Sequence, residues 1–180
     1  MRIPLISAAV GAAAMIAALA PLSPAPAVAD DIGDVVCHGG TLNVQFNPGI
    51  TFSRNTVRLS ASGEVGLCRS AKYPKITGGT IRIEAALTAA CPGPVGPGYA
   101  KVTIAWNDGS TSVIHQSTFR GDAQAYSLEG GRVATGPFAE GTARANGRTT
   151  TNLTELGAAC VTGGLTGYAA TIDELAVGDI

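Results

Sequence analysis

Leu42, Val44 and Phe46 alternate with Asn43, Gln45 and Asn47, and Val57, Leu59 and Ala61 alternate with Arg58, Ser60 and Ser62. A period of two puts every apolar side chain of a segment on one face of an extended backbone. Short segments of this kind recur along the chain, each cut off by Gly or Pro. No window of helical length shows a clear i, i+3, i+4 apolar stripe, so the apolar N-terminal run is the one good helix candidate. The pattern predicts an all-β fold, an antiparallel meander of about nine strands, closing as a β-sandwich or a closed β-barrel. Alternation is compatible with either closure.

The first hairpin is fixed in register by its own pattern. Pairing Phe46 with Leu59 and Val44 with Ala61 puts the apolar residues on one face and Asn47 opposite Arg58, with Asn47-Pro48-Gly49 in the connecting loop. Carried further, the same register sets Cys37 opposite Cys68, leaving Cys91 for Cys160. Strict alternation would put Cys37 on the polar face, so a bulge at Gly39-Gly40 is expected to reset the phase. A second hairpin turns at Asp108-Gly109. Val102, Ile104 and Trp106 run into it, with Thr111, Val113 and His115 expected to face them. Ile76–Leu87 reads as a strand, and others are expected near Ala123–Leu128, Arg132–Phe138, Thr142–Arg144, Thr149–Leu153 and Leu165–Leu175. The segment Cys91–Gly98 is too dense in Pro and Gly for a strand and reads as a rigid exposed loop.

The N-terminus adds a compartment. Arg2 precedes an Ala-rich apolar run from about Leu5 to Leu22, and Ala27-Val28-Ala29 is a small-x-small triplet of the kind a signal peptidase cuts after. Residues 1–29 read as a Sec signal peptide and residues 30–180 as a single domain, secreted to the extracellular space. All four cysteines, Cys37, Cys68, Cys91 and Cys160, fall after the cut, and an even set in an exported domain reads as two disulfides. No later apolar run approaches the length of a membrane span, so no transmembrane segment is expected in the mature chain.

Charge narrows the partners. Of 12 basic residues only Arg2 lies ahead of the cut, which leaves eleven against 13 acidic. The basic residues are scattered singly, which argues against nucleic acid and against electrostatic docking on anionic lipid.

Candidate chemistry is thin. His38 and His115 are the only histidines. A small secreted hydrolase would need one of them as base, with a nucleophile and an orienting acid in reach. Ser60, Ser62, Ser117 and Asp108 are available on paper, but no Gly-x-Ser-x-Gly elbow accompanies them. The plainer reading makes His38 a loop residue beside a disulfide and His115 a half-buried strand residue opposite Val102. No metal or cofactor is implied: Cys-x-x-Cys and His-x-x-x-His pairs are missing, and Asp30, Asp31 and Asp34 read as a solvated tail. Trp106, the single tryptophan, either projects as a stacking residue or caps the core, the placement its size favours. The Cys91–Gly98 loop, with Pro92, Pro94 and Pro97 followed by Tyr99, is the feature suited to recognition or to a protease inhibitor. A barrel interior lined by Val, Ile, Leu, Phe and Ala would take only an apolar ligand. The expectation is a non-catalytic binding or structural module, with a protein, a glycan or an apolar molecule as partner.

Four segments carry a resemblance: Cys37 with the strand ending Phe46-Asn47-Pro48-Gly49-Ile50-Thr51; Ala105-Trp106-Asn107-Asp108-Gly109-Ser110-Thr111-Ser112; Gly136-Pro137-Phe138-Ala139-Glu140-Gly141; and Ala159-Cys160 with Gly164-Leu165-Thr166-Gly167. In these the chain resembles a family of small secreted, disulfide-bonded β proteins of actinobacteria. The segments are cysteines, turns and core aromatics. The resemblance therefore implies fold and export, and transfers no active site.

Overall fold

The computed structural model describes residues 33–180. The expected signal peptide, with Asp30 and Asp31, lies outside the described residues. The strands are β1 (Val35–Cys37), β2 (Gly40–Ile50), β3 (Asn55–Val65), β4 (Cys68–Arg69), β5 (Gly79–Ala89) and β6 (Val95–Trp106), followed by β7 (Thr111–Gly121), β8 (Ala125–Glu129), β9 (Arg132–Thr135), β10 (Thr142–Thr149) and β11 (Leu165–Gly178). One helix, α1 (Leu153–Thr162), lies between β10 and β11.

The architecture is a closed barrel rather than a sandwich. Eight antiparallel strands follow one another as β2, β3, β5, β6, β7, β8, β10 and β11, and β11 returns to pair with β2. Closure leaves no free edge among these eight. The short strands β1 and β4 extend the sheet beyond β11, and β9 pairs with β7 beside β8. Along β2, β3, β5 and β10 buried and exposed residues alternate, so the two-residue period of the sequence becomes the inside and outside of the barrel wall.

The β2–β3 register is the expected one: Phe46 faces Leu59, Val44 faces Ala61, Asn47 faces Arg58, and in the flanking pair Cys37 faces Cys68. Cys37 is fully buried and shares the core with Val35, Leu42 and Val44. The phase is reset at His38-Gly39, where the strand is interrupted and Gly39 adopts φ +126°. The neighbouring strands break at the same level. Leu67, with φ +52°, separates β3 from β4, and β11 slips against β10 around Asp173. Because all break together, the pairing survives while Cys37 and Cys68 turn inward. The turn after β2 falls later than expected. Pro48 and Gly49 sit inside β2 at an irregularity opposite Leu165 and Gly167, and the strand resumes at Ile50.

The β6–β7 register differs from expectation by one residue. Val102 pairs with Ile114 and Ile104 with Ser112, so Ile114 is buried and His115 exposed. The loop is three residues, Asn107-Asp108-Gly109, closed by the Trp106 N–H donating to the Ser110 carbonyl at 2.8 Å, with Gly109 at φ +89°. That is a type I turn with a left-handed third residue, and the extra residue moves every later side chain to the other face. A bulge at His115-Gln116 then restores Ser117 and Phe119 to the inside.

Two further expectations change. Residues 95–98 of the Cys91–Gly98 segment belong to β6, with Val95 pairing to both Ala89 and Gly121. Only residues 91–94 remain as a turn, and the Cys91 N–H anchors it to the Thr51 carbonyl at 2.8 Å. Instead of a strand near Thr149–Leu153, β10 ends at Thr149 and α1 begins at Leu153, capped by the Asn152 carboxamide oxygen accepting from the Thr154 N–H at 2.8 Å.

The barrel is filled from end to end. Ile83, Leu59, Val102, Ile104, Ile114 and Leu128 are among the buried side chains of its core. At one end Trp106, Phe138 and Tyr73 close the interior edge to face, with ring centroids 5.6 and 5.1 Å apart. The Tyr73 hydroxyl donates to the Pro137 carbonyl at 2.7 Å. At the other end α1 buries Leu156 and Cys160, and the Cys91–Cys160 disulfide ties it to the β5–β6 turn.

Candidate functional site

Both disulfides pair as the register expects, Cys37 with Cys68 and Cys91 with Cys160, and none of the cysteines is free. The remaining sequence candidates are dispersed. His38 is exposed between β1 and β2, its N–H donating to the Leu67 carbonyl at 3.4 Å. His115 is exposed on β7, and its cross-strand partner is Arg132, a cation where an orienting acid would be needed. Ser117 is fully buried and its hydroxyl donates to the Gly130 carbonyl at 3.0 Å. Asp108 is held in its own turn, accepting from the N–H and the hydroxyl of Ser110 at 2.9 and 2.6 Å. Those hydrogen bonds keep its carboxyl below the usual carboxylate range. Ser60 and Ser62 lie on the outer wall in β3. Among the described residues no three His, Cys, Asp or Glu side chains gather as a metal site, and no helix is long and apolar enough to cross a membrane. Asp34 accepts from the Asp179 N–H at 3.4 Å.

Trp106 is a core residue, only 3 % exposed, and its indole is turned inward to Phe138 and Ser112. It is not available for stacking. Under α1 lies a cavity of about 20 Å³ against Leu156, Cys160, Val95 and Tyr168. That is room for about one water. Burial, with Asp122 nearby, pushes the Tyr168 hydroxyl up to about 12. Among the described residues the interior side chains form one packed cluster, and this cavity is too small for an apolar ligand.

Open space lies instead on the outside of the wall, over β3, β5 and β6. Three adjoining grooves have volumes of about 630, 480 and 450 Å³. The first shares Glu84 and Lys101 with the second, and the second shares Ala86 and Tyr99 with the third. Pairing sets their layout: Ser62, Arg82 and Thr103 form one cross-strand row, Ser60, Glu84 and Lys101 the next, and Arg58, Ala86, Tyr99 and Thr118 a third. Small residues make the floor and long ones the walls. Tyr99 stands 73 % exposed because both its strand partners, Ala86 and Thr118, are too short to cover the ring. Pro92, Pro94 and Pro97 are exposed near the end of the same strands, and Pro97 lines the third groove with Tyr99. Of the sequence candidates, the structure thus joins Tyr99 and Pro97 and separates both from Trp106. Arg58, Glu84 and Lys101, absent from the candidates, are brought to Tyr99 by long-range pairing, which the sequence shows only once three strands are in register.

Compared with protein-family models, with curated proteins and with solved structures, the chain matches none.

Proposed function

We propose that this chain is a secreted, non-catalytic binding module of the extracellular space, working through the outer wall of its barrel. The observation that carries the reading is the contrast between a packed interior and three adjoining open grooves on the outer wall, two of them lined by Tyr99. A scaffold this rigid holds wall side chains at fixed spacing, which suits recognition with little ordering on binding. The disulfides, the Ala27-Val28-Ala29 triplet and the resemblance to exported actinobacterial proteins support export by Sec with cleavage after Ala29. Only residues 91–94 of the Cys91–Gly98 segment stand free of the strands, a turn too short to present an extended inhibitory segment to a protease.

The test is a thermal-shift panel on the oxidised protein with polysaccharides, fatty acids, divalent metals and proteases. A ligand at a hundred times its Kd stabilises by about 2.7 kcal/mol, which raises Tm by roughly 5–10 °C for a domain of this size. Stabilisation abolished by Tyr99→Ala supports the reading. Hydrolysis of any panel compound that His38→Ala or His115→Ala removes would replace it with the hydrolase reading.

A further inference from the structure

Resting on that reading, we propose that the outer wall over β3, β5 and β6 binds an acidic polysaccharide, with Tyr99 stacked on a sugar ring and Arg58, Lys101 and Arg120 holding its carboxylates.

On this face of the barrel cations outnumber carboxylates. Arg132, Arg144 and Arg148 each pair with a carboxylate, Glu140, Glu174 and Asp173 respectively. Arg58, Arg82, Lys101 and Arg120 have no ion pair among the described residues, and the same wall carries only Glu64 and Glu84 against them. The excess is cationic even with Glu84 directly across from Lys101, and Arg58, Lys101 and Arg120 line the grooves that Tyr99 also lines. Guanidinium groups bind carboxylates in a planar fork, which suits the charged group of a uronic acid.

The floor decides against a peptide. Ser60, Ser62, Thr103 and Ala86 are small, and the open grooves they floor offer no deep pocket for an anchoring side chain. The strands beneath are each paired on both sides, so no edge is free to accept an added strand. A sugar chain needs neither. It needs a flat ring against which C–H groups can lie, and hydroxyl and amide groups to exchange hydrogen bonds. Tyr99 supplies the first, and Ser60, Ser62, Asn43, Gln45 and Gln116 supply the second. From Thr80 to Thr88 the track follows β5 for about 26 Å, room for several sugar units in a row.

The test titrates the full chain, expressed with export so that both disulfides form, and labelled for amide NMR. The probes are polygalacturonate, neutral dextran of matched length, and poly-glutamate. Expected is binding of polygalacturonate alone, with shifts centred on residues 84–86 and 99–101 and an affinity that falls with added salt, as exposed charges require. Tyr99→Ala should weaken it about tenfold with Tm unchanged, since the ring is exposed, and Lys101→Gln should flatten the salt dependence. Equal binding of poly-glutamate, untouched by Tyr99→Ala, would overturn sugar recognition and leave a charge-driven binding module. Equal binding of dextran would overturn the acidic class. Shifts centred elsewhere would overturn this face as the site. No shift with any probe would overturn the inference, while the binding-module reading would stand or fall on the wider panel.

Discussion

The indole N–H of Trp106 donates to the hydroxyl of Ser112 at 2.9 Å, with both side chains buried at one end of the barrel. The bond spans the three-residue Asn107–Gly109 loop and exists only in the observed register, which turns Ser112 inward. Ser112→Ala would strand the indole N–H in an apolar site, at a cost of about 1–3 kcal/mol. Ser62→Ala, on the exposed wall, should change stability by less than about 0.5 kcal/mol. Urea unfolding of the two variants measures the difference. Equal midpoints would mean that water reaches the indole.

How far the fold is legible in the sequence depends on how local the signal is. The β2–β3 register follows from alternation alone, because a one-residue slip would put Phe46 and Leu59 into water. The phase reset beside Cys37 is implied by the same alternation. The second hairpin misleads because Asp108-Gly109 suits both a two-residue and a three-residue loop, and only the longer one buries Ile114 in place of His115. Helix α1 escapes a search for stripes because only Leu156 and Cys160 are buried, a single i, i+4 pair. Its trace in the sequence is the cap, Asn152 followed three residues later by Glu155. The Tyr99 wall is the least legible element, since Arg58, Ala86 and Tyr99 are neighbours only through two successive strand pairings.

Helix α1 should depend on its disulfide more than any strand does. Beyond Cys160 it buries only Leu156, and isolated helices of ten residues are marginal in water. Replacing Cys91 and Cys160 together by Ser removes a link across 69 residues of sequence, which costs at most about 4 kcal/mol by the loop-entropy argument. Amide exchange across residues 153–162 should then approach that of an open loop while β3 and β5 stay protected. Continued protection of α1 would show that Leu156 alone holds it.

Alkaline pH should destabilise the protein through its buried tyrosines. The hydroxyl of Tyr168 is pushed up from 10.0 to about 12, first by burial and then by Asp122, and burial raises that of Tyr126 further. The folded state therefore holds these protons more tightly than the unfolded chain does. Their contribution is complete below pH 10 and is lost as pH climbs through the folded value. Tm should hold up to pH 10 and then fall, each tyrosine adding at most about 1.4 kcal/mol per pH unit. Tyr168→Phe should make the fall shallower, and an unchanged slope would mean that this hydroxyl titrates in the folded protein.

Two glycines with similar backbone angles separate conformational strain from crowding. Gly109 has φ +89° and Gly131 φ +84°, both left-handed, so alanine at either position costs about 1–2 kcal/mol from the backbone alone. A Cβ on Gly109 would meet nothing within 4 Å. On Gly131 it would lie 2.5 Å from the Ser117 hydroxyl and 2.7 Å from the His115 carbonyl. That second contact is backbone and cannot swing aside, and the first disturbs the buried bond from Ser117 to the Gly130 carbonyl. Gly131→Ala should therefore lose at least twice as much stability as Gly109→Ala in urea unfolding, and should shift the amide resonances of the His115-Gln116 bulge. Equal losses would show that β7 yields at its bulge, and that the turn into β9 is set by backbone angle rather than by close packing.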